Sequence, residues 1–276
     1  MEKDMDNLEV HTKELWDARS VKWAARDSED EAARQQNEAR YQYTDDFLWS
    51  HHLYDGNSEI LDIGCGLGMF AVRFAQKAKR VTGLDISGKM LEYARQNVEL
   101  NGLQNVDFID MPWQDIDLRK SGLEKAYDLV FASLCPGISS DGGLLKMSQA
   151  SRDWCFTCHF ARRFSSLKND VYLSILGHPF DSEWGKKSIG KSVEELLRAG
   201  YYPSLSYYDT QALVEWPLDE ETAKHFAGHL GPLKDEQKYI DKYTGPVFDY
   251  LKKVAVNGLI RDETEAKIAF LYWQVT

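Results

Sequence analysis

No stretch of this 276-residue sequence approaches the ~18 consecutive apolar residues of a membrane span. Cysteine is scarce: four residues, at 65, 135, 155 and 158, do not make the disulfide framework of a secreted scaffold. The charged start Met1-Glu-Lys-Asp-Met-Asp6 has no apolar region behind it, so no signal peptide is read there. These absences point to a cytoplasmic chain with reduced thiols and no membrane partner. A dense Lys/Arg run is missing too. The 33 basic residues against 44 acidic ones leave a net charge of -11, which is unsuited to gripping a polyphosphate backbone. Nucleic acid is therefore not the expected partner. No internal repeat or low-complexity tract is evident.

What is there is an ordinary globular composition, 43% hydrophobic and 28% charged. The length suits one domain with large insertions, or one domain and a small cap. The organising stretch is Ile60-Leu-Asp-Ile-Gly-Cys-Gly-Leu-Gly-Met-Phe70. A short buried strand runs into three glycines, Gly64, Gly66 and Gly68, and an amphipathic helix follows at once. Glycines there permit a sharp turn and let a ligand approach the backbone. Seventeen residues beyond Gly68, Asp85 closes the run Arg80-Val-Thr-Gly-Leu-Asp85. A carboxylate at a strand tip can accept hydrogen bonds from both hydroxyls of a ribose. Together these residues describe a nucleoside site.

The glycines leave open which nucleotide binds. A dinucleotide fingerprint reads G-x-G-x-x-G, and here Met69 takes the place of the third glycine. Asp62, two residues before Gly64, suits a ligand carrying a cationic amine better than one carrying a pyrophosphate. Both features oppose a nicotinamide-dependent oxidoreductase.

The surroundings read as alternating strand and helix: strands at 59–63, 80–85, 105–110 and 127–133, and helices at 68–78 and 87–100. Ser87 is placed as an N-cap, and Asn101-Gly102 as a stop. Such alternation means a parallel sheet covered by helices. Further on, a helix is expected at 142–152 and strand five at 154–160, with 171–176 competing for that place. A helix follows at 188–199, and the last strands at 205–214 and 267–275. Residues 219–257 read as an inserted helical segment, punctuated by Gly-Pro at 231–232 and 245–246. Residues 1–54 read as an N-terminal helical cap segment and 55–276 as the main domain. Trp16, Trp23 and Ala24 are the apolar marks of the cap. The aromatic cluster Tyr41 to Tyr54 is expected to cover a sheet edge or to line a substrate lid.

Glu59-Ile-Leu-Asp-Ile-Gly-Cys-Gly-Leu-Gly68 resembles motif I of the class I S-adenosylmethionine-dependent methyltransferases. Val81-Thr-Gly-Leu-Asp-Ile-Ser-Gly-Lys-Met90 is similar to the motif that follows it. The resemblance covers about residues 55–135. It implies a seven-stranded, mostly parallel, doubly wound α/β sheet, with S-adenosylmethionine as cofactor. It also implies roles by position. Gly64, Cys65, Gly66 and Gly68 bring backbone against the methionine part of the cofactor, Asp62 helps hold its amino group, and Asp85 takes the ribose hydroxyls. Ile86 and Met90 sandwich the adenine. Trp113 and Gln114 are the candidates for the adenine edge, since Pro112 falls where an acid is common. Ser133 lies near the sulfonium.

The loop Leu134-Cys-Pro-Gly137 lacks the Asn/Asp-Pro-Pro-aromatic pattern with which relatives grip the exocyclic amine of a base. That departure counts against methylation of an adenine or cytosine amine. The aromatic-rich regions 41–54 and 201–216 could wall a pocket for a small, partly apolar acceptor, and a small-molecule acceptor is expected. A protein or RNA acceptor and a non-catalytic nucleoside-binding role are the alternatives. Cys155-Phe-Thr-Cys-His159 spells a haem-attachment pattern, or half of a zinc site. On a strand, however, Cys155 and Cys158 point to opposite faces, so packing is expected and no metal. His159 is a conceivable base near the acceptor, but no catalytic residue is assigned. The sequence does not give the oligomeric state.

Overall fold

The computed structural model describes residues 12–14, 16–18, 20, 31–138, 142–182, 185–232 and 235–275. The expectations for Trp23 and Ala24 lie outside the described residues. Seven strands, β1 (Glu59–Ile63), β2 (Arg80–Asp85), β3 (Val106–Asp110), β4 (Tyr127–Ser133), β5 (Ser151–Ser165), β6 (Ser204–Pro217) and β7 (Leu259–Gln274), form one sheet in the order β3-β2-β1-β4-β5-β7-β6. The pairings β1–β2, β1–β4, β2–β3 and β4–β5 are parallel. The sheet as a whole is mixed, with one strand antiparallel. Eight helices accompany the strands among the described residues: α1 (Glu31–Ser50), α2 (Met69–Ala75), α3 (Gly88–Leu100), α4 (Gly143–Ala150), α5 (Ser166–Leu176), α6 (Gly185–Arg198), α7 (Glu220–Gly228) and α8 (Glu236–Val254). No helix among the described residues is long and apolar enough to cross a membrane.

The chain divides into two compact units. Unit 1 is Met1–His159, Ser188–Ser206 and Ala269–Thr276, and unit 2 is Phe160–Lys187 and Tyr207–Ile268. One core cluster of unit 1 gathers Leu61, Ile63, Leu84, Val130, Ala132 and Cys155 from the parallel strands, with Met147 of α4 and Leu196 of α6 against them. Phe131 stacks on Phe156 with ring centroids 5.4 Å apart, and Phe70 and Phe74 of α2 pack on Phe131. The aromatic cluster 41–54 joins this packing: Phe47 meets Phe156 and Phe270, and Tyr54 meets Phe74. Unit 2 has its own core, in which Leu167 and Val171 pack with Ala223, Phe226, Val247 and Leu251.

Strand five runs through 154–160 as expected but is longer, and its competitor 171–176 belongs to α5. The hydroxyl of Ser165 caps α5 by accepting from Lys168 N, so an apolar run that could pass for a strand is wound into a helix. The inserted segment is helical, but Gly245-Pro246 does not break it: α8 runs through Pro246. The hydroxyl of Thr244 donates to Ile240 O at 2.7 Å just before the proline, one local bond at a place where the ladder loses an N–H.

Candidate active site

The parallel half of the sheet ends in a row of carboxylates. Asp62 stands in β1 and Asp85 closes β2, two strands paired in register from Glu59–Arg80 to Ile63–Leu84. Asp110 closes β3 directly beside Asp85. The turn after β1 is set by three glycines at positive φ: Gly64 at 68°, Gly66 at 52° and Gly68 at 76°. Gly64 is held there for a second reason, since a Cβ would lie 2.5 Å from Cys135 Sγ. Gly66 is different: nothing lies within 4 Å of where its Cβ would be, so its main chain faces open space.

Asp85 is tied to this turn. One oxygen accepts from Gly66 N and the other from Ser87 N, each at 2.9 Å. Burial pushes its carboxyl above the usual range, and the two backbone N–H groups oppose the shift. Asp62 has no such support. It is 2% exposed, and its Oδ2 has no hydrogen-bond partner. Desolvation, with the Asp85 charge added, pushes its carboxyl up to about 8. A buried carboxylate oxygen without a donor is costly, so the atom fits a cation that arrives from outside the chain.

The end of β4 is met by a cation of the chain itself. Arg40, on α1, donates from Nη1 to Ser133 Oγ at 3.2 Å, at the end of β4. Its guanidinium lies 4.5 Å from the Tyr41 ring centroid, and it makes no ion pair among the described residues. Sequence reasoning missed Arg40, because an arginine in a polar helix carries no signal of what it faces.

The other expected site residues are placed as follows. Cys65 is buried, and its thiol is pushed well up by burial. Met90 is buried in the first turn of α3, where Ser87 Oγ caps its N–H. Ile86 follows Asp85 and is half-buried. Trp113 is a core residue whose indole N–H donates to Gly143 O, and Gln114 Nε2 donates to Gly137 O at 2.8 Å. Ser133 Oγ also lies 3.2 Å from Cys158 Sγ. Cys135, half-buried over Gly64, has its thiol pushed up to about 12 by burial. His159 is lowered to about 4 by burial and bonds Thr157 Oγ1 at 3.1 Å, so it is a neutral imidazole at pH 7. No group of three or more His, Cys, Asp and Glu residues could hold a metal among the described residues. Cys155 packs in the core on one face of β5, while Cys158 meets Ser133.

Part of the N-terminal segment reaches these strand ends. Lys13 Nζ contacts both oxygens of Asp110 at 3.0 Å, and Asp17 Oδ1 accepts from Ser87 Oγ at 2.6 Å.

The family model for a methyltransferase domain matches residues 54–225, more than half of the chain. The chain belongs to this family, the class I S-adenosylmethionine-dependent methyltransferases. Among curated relatives, an uncharacterized RNA methyltransferase of Oceanobacillus iheyensis is 39% identical over 54 residues, 20% of this chain and 12% of that protein. The ubiquinone biosynthesis O-methyltransferase of Acinetobacter baylyi is 27% identical over 128 residues, 46% of this chain and 51% of that protein. The chain thus spans only 12% of the first and 51% of the second. Among solved structures, the magnesium protoporphyrin IX methyltransferase of Synechocystis PCC 6803 with bound SAH has a TM-score of 0.53 at 13% identity. That match covers 96% of this chain and 99% of the other, and it is a likeness of fold.

Proposed function

We propose that the protein transfers a methyl group from S-adenosylmethionine to a small-molecule acceptor. The carrying observation is Asp62, a buried carboxylate with an orphaned oxygen beside a glycine turn. In this reading Asp62 holds the amino group of the cofactor, and Arg40 its carboxylate. Gly64, Cys65, Gly66 and Gly68 lie along the methionine part, and Asp85 takes the ribose hydroxyls. Ile86 and Met90 flank the adenine, with Trp113 offering main chain and Gln114 a side chain at its edge. When bound, the cofactor supplies an electrophilic methyl group on a sulfonium.

The chain's part is alignment and exclusion of water. Positioning alone can supply roughly 7–11 kcal/mol in favourable cases. Ser133 and Cys135 lie at the end of β4 and after it, where ligands of open α/β sheets bind, and Arg40 of α1 bonds Ser133 there. The contacts of Lys13 and Asp17 support residues 1–54 as a cap on the main domain 55–276. Against a nucleic-acid acceptor speak the net charge of -11 and the Leu134-Cys-Pro-Gly137 loop, which lacks the pattern for a base amine. The matches to RNA methyltransferases cover about a fifth of the chain.

Isothermal titration with S-adenosylhomocysteine should give a Kd between low micromolar and sub-millimolar, roughly -5 to -8 kcal/mol. Asp85→Ala should weaken it by about 1.5–3 kcal/mol. No heat at millimolar ligand would sink the reading. Transfer of labelled methyl to a metabolite pool, and not to total RNA or protein, is the expected result for the acceptor.

A further inference from the structure

The two edges of the sheet are built differently. One edge, β3, has five residues, and the Arg80–Asp107 ion pair lies beside it. The other, β6, runs for 14 residues with no buried position. Natural edge strands are protected by shortness, by charged side chains, lysine above all, and by prolines or bulges. β6 carries no lysine, and its proline, Pro217, stands at the very end. Alternate residues on its open face include Tyr207, 49% exposed, and Leu213, 57% exposed. Its two acids are paired from the neighbouring strand and stay partly exposed: Asp209 with Lys267 at 2.6 Å and Glu215 with Arg261 at 3.4 Å.

We propose that β6 is a dimerisation edge, and that its occupant is β6 of a second copy, antiparallel about a two-fold axis at Thr210. An axis normal to the sheet keeps each face with its like, so opposed residues share parity. With the axis at Thr210, Tyr207 of each copy faces Leu213 of the other, Tyr208 faces Ala212, and Asp209 faces Gln211. Two exposed aromatic–aliphatic pairs form, and no acid meets an acid. Aromatic pairs of this kind stabilise antiparallel ladders, and directly opposed like charges oppose them. An axis at Thr210 is chosen because one at Ala212 would set Asp209 against Glu215, and one at Gln211 would set Tyr207 against Glu215 and Leu213 against Asp209, with no apolar pair between them. A parallel, in-register pairing would set each acid against its own copy.

The test is the mass of the full-length protein by light scattering at about 100 μM, with three chains compared. The wild type should be a dimer. Leu213→Lys, at an exposed position, should raise the dimer Kd at least tenfold and leave thermal unfolding of the monomer near normal. Leu213→Lys combined with Tyr207→Glu should restore the dimer, because the new charges face each other only across this two-fold. Within one strand they lie six residues apart, about 20 Å. A monomeric wild type would overturn the proposal, and so would a dimer that Leu213→Lys leaves intact. With the axis at Gln211 the new lysine would face Asp209 and tighten the dimer. Failure of the double variant to recover would equally overturn the Thr210 pairing.

Discussion

Three aspartates are buried to 2% exposure, Asp45 and Asp62 in unit 1 and Asp262 in unit 2. Tyr54 and Lys77 donate to Asp45, whereas Asp62 and Asp262 are treated in opposite ways. In unit 2, Asp262 accepts from Ser165 Oγ at 2.8 Å, from Ser166 Oγ at 3.3 Å and from Leu167 N at 3.0 Å. It ties β7 to the N-terminus of α5, where negative charge is favoured. In unit 1, Asp62 has an oxygen with no donor at all, and Asp85 adds like charge. The neutral indole N–H of Trp216 is also buried without a partner in unit 2, but desolvating it costs far less than desolvating a carboxylate. Burial therefore does not distinguish structure from function in this molecule. The supply of donors separates the two: the chain completes Asp262, and in the proposed reading a ligand completes Asp62.

The sharpest way to break this contrast is to titrate it. Unfolded aspartate titrates near ~3.9, and folded Asp62 at about 8. Between these pH values the folded chain holds a proton that the unfolded chain has lost. The contribution of Asp62 to the stability of the ligand-free protein should then be fully present below about pH 4 and be lost as pH rises to about 8, by about 1.4 kcal/mol per unit at most. Asp85, shifted the same way, adds to the slope. Asp62→Asn should flatten the profile in urea unfolding and abolish most ligand binding. S-adenosylhomocysteine, whose ammonium favours the ionised form, should expel a proton on binding at pH 7. Titration in buffers of different ionisation enthalpy reads that proton. An Asp62→Asn profile parallel to the wild type would mean that the buried carboxyl is not the titrating group.

The smaller counterpart is Asp262→Ala. It strands three donors, one of them the buried N–H of Leu167, and should cost about 2–4 kcal/mol in stability. The folded variant should bind S-adenosylhomocysteine as the wild type does. A loss below ~1 kcal/mol would mean that the donors find water, and that the contrast with Asp62 is weaker than the hydrogen bonds suggest.

Much of the parallel half was legible because its determinants are local. Glu59–Ile63 and Tyr127–Ser133 stand where apolar runs put them, and the Ser87 cap is written in the residues themselves. The far half was legible in order but not in length. β5 continues to Ser165 and β7 begins at Leu259, through charged residues that no hydrophobic pattern extends into. Arg162 and Glu265 pair with each other at 2.9 Å, and such partners are unknowable before the strands are side by side. The same holds in the site. Asp62, Asp85 and the glycines carry a motif, whereas Arg40 reaches Ser133 across 93 residues. The indole of Trp113 sits in the core, a placement that the residue's position after β3 does not reveal.

The smallest expected effect belongs to the two cysteines of β5. Cys155 lies in the core with Leu61, Val130 and Met147, while Cys158 contacts Ser133 Oγ on the opposite face. Burial pushes both thiols up, Cys158 against the opposing influence of Arg40. Neither is a ready thiolate ligand at pH 7. Replacing both by alanine removes two sulfur atoms from packed surroundings, a cavity cost of roughly 1–3 kcal/mol together. Affinity for S-adenosylhomocysteine should stay within about twofold, because Arg40 keeps its bond to Ser133. Elemental analysis of untagged protein should find no stoichiometric zinc. One zinc per chain, lost in the double variant, would require Cys155 and Cys158 to turn toward one ion. It would break the strand geometry that places them on separate faces.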